Sequence, residues 1–76
     1  MSVISKLTSE HVGKFVVIRA DDRFIAVKII SVGDGMLGCS VLDQNMPMRS
    51  FKMRYKVDVE FEVFDTAEEA IEKAKE

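Results

Sequence analysis

Apolar and charged residues alternate without a break from Phe51 to Val63. Phe51, Met53, Tyr55, Val57, Val59, Phe61 and Val63 hold the odd positions, and Lys52, Arg54, Lys56, Asp58, Glu60 and Glu62 hold the even ones. Period two is the pattern of a strand with one dry face and one wet face. The dry side is largely β-branched and aromatic, as strands prefer. The pattern predicts one long strand over 51–64. At ~3.3 Å per residue the alternating stretch alone would span roughly 43 Å, long for a chain of this size.

The wet side carries three cations and then three anions, and the sign changes at Val57. Two copies pairing antiparallel about Val57 would set Lys52 against Glu62, Arg54 against Glu60 and Lys56 against Asp58. Each opposed pair contributes roughly 0.2–1 kcal/mol. Such a segment is self-complementary under a two-fold axis, so a homodimer through this strand is one expectation. The plainer expectation is a solvated face that keeps an edge strand soluble.

Upstream, Leu7 to Gly13 reads as a single helical turn, capped by Thr8 and ended by Gly13, with Leu7 and Val12 tucked under the core. Met1 to Lys6 reads as a loose lead-in. Strands are expected at about 15–20, 24–32 and 36–42, with a two-residue turn at Asp21-Asp22 and a hairpin at Gly33-Asp34-Gly35. A two-residue Asp34-Gly35 loop would put Lys28 on the core face. A three-residue loop, with Gly35 in the left-handed bulge position, sets Val27 opposite Val41 and Ile29 opposite Cys39, and moves Lys28 beside Ser40. The second is preferred, because a slip of one residue turns every side chain over.

The hairpins then agree on one core face of Val16, Ile18, Ile25, Val27, Ile29, Leu37, Cys39 and Val41. The opposite face holds Phe15, Val17, Phe24, Ala26 and Ile30 along with Arg19 and Lys28, and is too apolar to stay wet. Residues 43–48 read as a loop. A helix over about 67–75 begins at the capping box of Thr66 and Glu69 and places Ala67, Ala70, Ile71 and Ala74 on one side. It is the element expected to cover the second apolar face. The fold class is therefore α+β and mainly β, a small antiparallel sheet with an N-terminal helical turn and a packed C-terminal helix.

The 76 residues are read as one domain, 1–76, and an apolar fraction of 47% supports a compact core. There is no apolar run near the ~20 residues of a membrane span, so no membrane partner is expected. Cys39 is the only cysteine, which forbids an internal disulfide and suggests a cytoplasmic setting. The net charge of −2 counts against generic affinity for nucleic acid.

No enzyme, cofactor or metal is expected. His11 sits in a polar turn with no identifiable partner, and a solvated side chain is expected there. Cys39 points at the core, where a thiol packs as an inert hydrophobe. Asp21, Asp22, Asp34 and Asp43 fall in turns that favour Asp for local reasons. The candidate partner-binding residues are Met46, Met48, Arg49, Lys52, Arg54 and Lys56. Methionine suits adaptable protein surfaces, and arginine is enriched among binding hot spots. The cations could also meet nucleic-acid phosphates with Phe51 or Tyr55 stacking on bases, but the alternation puts rings and cations on opposite faces.

The run Leu-Thr-Ser-Glu-His-Val-Gly-Lys-Phe-Val-Val-Ile-Arg at 7–19 resembles the entry into small SH3-like barrels, where a short turn ending in Gly-Lys leads into the first strand. The resemblance implies five strongly bent antiparallel strands and a binding module for a protein or a nucleic acid. The capped C-terminal helix departs from that pattern and leaves the position of the ligand groove open. The expected function is a non-enzymatic adaptor or inhibitor acting on a protein partner. A nucleic-acid-binding small barrel and a structural subunit of a larger assembly are the alternatives.

Overall fold

The computed structural model describes residues 2–42 and 49–76. Its described strands are β1 (Ser2–Lys6), β2 (Phe15–Ala20), β3 (Arg23–Gly33), β4 (Met36–Val41), β5 (Ser50–Arg54) and β6 (Glu60–Phe64). They form one antiparallel sheet in the order β1-β6-β2-β3-β4-β5, open at β1 and β5. A 3-10 turn at Ser9–His11 precedes β2, and helix α1 (Ala67–Ala74) follows β6. The mainly β class with one C-terminal helix agrees with the sequence. The loop expected over 43–48 lies outside the described residues.

β1 corrects the loose lead-in. Ser2 to Lys6 pair with Phe64 to Glu60 along the full length of β6. This strand is mostly exposed, with Val3 at 49% and Ile4 at 66%, so it lacks the alternating burial that marks a strand in sequence. Its backbone pairing, rather than side-chain burial, makes it a strand.

The single strand over 51–64 is also corrected. β5 ends at Arg54 and β6 starts at Glu60, and the two lie at different places in the sheet. Between them the chain turns, and the Val59 amide donates to the Lys56 carbonyl at 3.2 Å. The reason is size. The molecule measures 29 × 25 × 21 Å, and an unbroken strand of roughly 43 Å would run far outside its core. Val57 and Val59 keep the alternation of the sequence but stay exposed in the turn.

The first hairpin has the expected register, with Val16 opposite Val27 and Ile18 opposite Ile25. Asp21 takes the left-handed φ of 58° in its two-residue turn. The second hairpin has the expected pairs Val27 with Val41, Lys28 with Ser40, and Ile29 with Cys39, but for a different reason. The turn is the two-residue Asp34-Gly35 loop, closed by Gly33 opposite Met36, with φ of 54° and 72°. Positive φ at both positions is the twist a hairpin favours. The extra residue is Ile30, a bulge where the register shifts between Ile29 and Ser31. Opposite Ser31 sits Gly38, where a Cβ would run into the Ser31 hydroxyl.

The inner face holds the eight expected core residues, joined by Leu7 and Val63. Phe51, Met53, Tyr55 and Phe61 pack against this cluster while only half-buried. On the other face α1 lies over β2 and β3, as expected. Ala70 is completely buried there, against Ala26 and Phe64, with Phe15, Val17, Leu42 and Ala74 around them. The small side chains let the helix sit close. It covers the face only in part, leaving Phe24, Ile30 and Ile71 exposed, and Val12 likewise stays outside the core.

Candidate partner-binding edge

β5 is an edge strand whose position follows from its hydrogen bonds. The Val41 amide donates to the Arg49 carbonyl at 2.7 Å, and the Tyr55 amide donates to the Gly35 carbonyl at 3.0 Å. Antiparallel pairs alternate between bonded and non-bonded, so Phe51 and Met53 direct their backbone groups at β4. Ser50, Lys52 and Arg54 direct theirs outward, where no described strand pairs with them.

The side chains divide in the same rhythm. Phe51, Met53 and Tyr55 turn toward the core and remain half-buried. Ser50, Lys52 and Arg54 are exposed on the outer face, with Arg49 and Lys56 exposed just beyond the ends of the strand. The register sets Lys28, Ser40 and Ser50 in one row across β3, β4 and β5. Ser31, Gly38 and Lys52 form the next, and Gly33, Met36 and Arg54 the third. In the first two rows Lys28 and Lys52, from two strands, thus flank the small residues Ser31, Gly38, Ser40 and Ser50. None of Lys28, Arg49, Lys52, Arg54 and Lys56 has an ion-pair partner among the described residues; the two close pairs there are Lys14–Asp65 and Lys73–Glu76.

Four of the expected binding residues, Arg49, Lys52, Arg54 and Lys56, therefore gather at one edge. Met46 and Met48 lie outside the described residues. Lys28 takes the expected place beside Ser40, and the pairing of β4 with β5 is what brings it onto one face with Lys52 and Arg54. The six charges expected on one self-pairing strand are separated. Lys52 and Arg54 belong to β5, Lys56 and Asp58 to the connection, and Glu60 and Glu62 to β6, so a two-fold pairing about Val57 has no continuous strand to act through.

The remaining candidate chemistry is absorbed by the fold. Rather than being solvated, His11 is half-buried and bonded at both ring nitrogens. Its Nδ1 accepts from the Thr8 amide at 3.0 Å, and its Nε2 lies 3.0 Å from the Ser5 hydroxyl. In the neutral ring this fixes the proton on Nε2, donated to Ser5. The histidine thus ties β1 to the 3-10 turn. Cys39 is fully buried, and burial pushes its thiol up to about 11. Asp65 accepts from Lys14 at 2.8 Å, and this charged hydrogen bond holds its carboxyl below the ordinary range. No three His, Cys, Asp or Glu side chains among the described residues cluster to hold a metal ion, and no described helix is long and apolar enough to cross a membrane.

No protein-family model, curated protein or solved structure matches the chain. The geometry of its own residues is what a functional reading rests on.

Proposed function

We propose that the chain is a non-enzymatic interaction module that docks a protein partner on the β5 edge. One observation carries the reading. Arg49, Lys52, Arg54 and Lys56 stand exposed along and just beyond the open strand β5, without ion-pair partners among the described residues, and the intervening Phe51, Met53 and Tyr55 are only half-buried. Cations on the outer face and incompletely covered aromatic and thioether groups on the inner face flank one open edge, and a polypeptide lying along that edge can meet both. The SH3-like likeness of residues 7–19 is in keeping with it, as is the run of β2, β3, β4 and β5 in adjacent order with β6 returning beside β2.

A second reading is a nucleic-acid-binding module. It is favoured by Lys28 joining Lys52 and Arg54 over a floor of Ser31, Gly38, Ser40 and Ser50, a cationic face that phosphates could approach. It ranks second because the rings of Phe51 and Tyr55 face the core and give bases nothing to stack on.

The deciding experiment is affinity capture from nuclease-treated extract with the wild-type chain and an Arg49→Ala/Lys52→Ala/Arg54→Ala variant. The captured protein is then purified and titrated back. A direct complex that the variant loses supports the reading. Binding to mixed-sequence single strand or duplex that falls steeply with salt and vanishes in the variant, with no protein retained, overturns it in favour of the second.

A further inference from the structure

The β5 edge offers two kinds of group in strict alternation. Ser50, Lys52 and Arg54 direct backbone groups outward that no described strand pairs with, and two of these residues add a cation on the outer face. Phe51 and Met53 pack on the core from the inner side and leave part of their surface uncovered. We infer that this edge receives an extended peptide in which acidic and apolar residues alternate, added to the sheet as a seventh strand. The inference rests on the reading of β5 as a protein-binding edge and specifies how that edge binds.

The added strand satisfies three needs together. Its backbone completes the hydrogen bonding of Ser50, Lys52 and Arg54, the mode by which sheet edges take up peptides. Its acidic side chains fall on the outer face beside Lys52 and Arg54, where opposed charges across a ladder attract. Its apolar side chains fall on the inner face and cover Phe51 and Met53. The alternation is required because successive residues of a strand point to opposite faces. The other open edge does not fit this ligand: β1 carries one cation, Lys6, and its exposed Val3 and Ile4 are adjacent in sequence and so lie on opposite faces. A nucleic acid fits less well, since its backbone cannot match a row that alternates N–H donors with carbonyl acceptors.

The probe is a labelled synthetic peptide, Glu-Val-Glu-Phe-Glu-Val, compared with Glu-Glu-Glu-Val-Phe-Val of the same composition. The alternating peptide should bind about tenfold more tightly than the grouped one. On binding, amide exchange should slow at Ser50, Lys52 and Arg54, while Phe51 and Met53, already bonded to β4, change little. Ser50→Pro removes one outward N–H and no charge, at a position where an edge strand tolerates proline. It should weaken binding about tenfold, the loss of a backbone hydrogen bond with its facing carbonyl left unpaired. Lys52→Glu/Arg54→Glu should reject the acidic peptide and accept Lys-Val-Lys-Phe-Lys-Val instead. Circular dichroism confirms that each variant is folded.

Equal binding of both acidic peptides, with Ser50→Pro unaffected, overturns strand addition and leaves the protein-binding reading standing. Absence of binding by either peptide at millimolar concentration also overturns strand addition. Salt-sensitive binding of the mixed-sequence strand or duplex, with no protein retained in the capture experiment above, overturns both.

Discussion

The rings of Tyr55 and Phe61 meet edge to face, with centroids 6.0 Å apart and planes at 76°. Tyr55 follows β5 and Phe61 lies in β6, four strand spacings away in the sheet order. In a flat sheet that separation would be about 19 Å. The contact therefore records how far the sheet rolls around its inner core. Tyr55→Ala and Phe61→Ala should each destabilise the fold. Their double-mutant cycle in urea should give a coupling of about 0.5–1.5 kcal/mol, as for other edge-to-face pairs.

Cys39 should resist thiol reagents in the folded protein and react only at the rate of opening, because it is completely buried and its thiolate is disfavoured. Its folded value of about 11 stands above the ordinary 9.0. The unfolded chain therefore releases this proton first, and stability from this group falls as pH rises from the ordinary value through the folded one. Cys39→Ala should lack that alkaline loss. Parallel denaturation curves across the alkaline range check it.

The Asp34-Gly35 turn needs left-handed backbone at both positions. Gly35→Ala should cost about 1 kcal/mol, and Asp34→Asn, which tolerates that conformation, should cost much less. Thermal melts of the two variants separate backbone strain from loss of the aspartate charge.

Ala70 is fully buried where α1 meets the sheet, and Ile71 beside it is 37% exposed. Ala70→Leu should destabilise by about 1–3 kcal/mol through overpacking. Ile71→Ser should cost clearly less. Urea titrations of both distinguish the packed side of the helix from its open side.

The Lys14–Asp65 pair ties the start of β2 to the end of β6. Asp65 has its carboxyl lowered by the Lys14 hydrogen bond, so its stabilising effect is present above the ordinary carboxylate value and is lost as pH falls through the lower folded value. Both side chains are nearly half exposed, so the effect is small and screened by salt. Lys14→Met should lose less stability than the wild type on acidification, measured at low ionic strength.

Much of this fold could be read from side-chain pattern. The pairs Val16–Val27, Ile18–Ile25 and Ile29–Cys39 follow from matching apolar faces, and the helix over the second face follows from the alanines of Ala70 and Ala74. Where pattern failed, burial had ceased to report structure. β1 is a strand through its backbone alone, so Val3 and Ile4 gave no periodic signal. Val57 and Val59 kept a perfect period through a turn, because the alternation says nothing of how much room the core has. At Ile30 the apolar pattern determines the register and not its cause, since a turn of three residues and a turn of two plus a bulge place Val27 identically. At the candidate edge, the cations of β5 were visible in sequence. The open side of the strand was not, since which strand lies at the margin is a property of the whole sheet.

The pairing of Ser2 with Phe64 has a consequence for how the chain reaches its native state. β2 to β5 are neighbours in sequence as in space, and their pairing closes only short loops. β1 must wait for a strand some sixty residues downstream, and contacts of that separation form late and slowly. The strand of this sheet that is made first is thus among the last to find its place. Pulse-labelled exchange during refolding should protect the amide of Val27 before that of Val63.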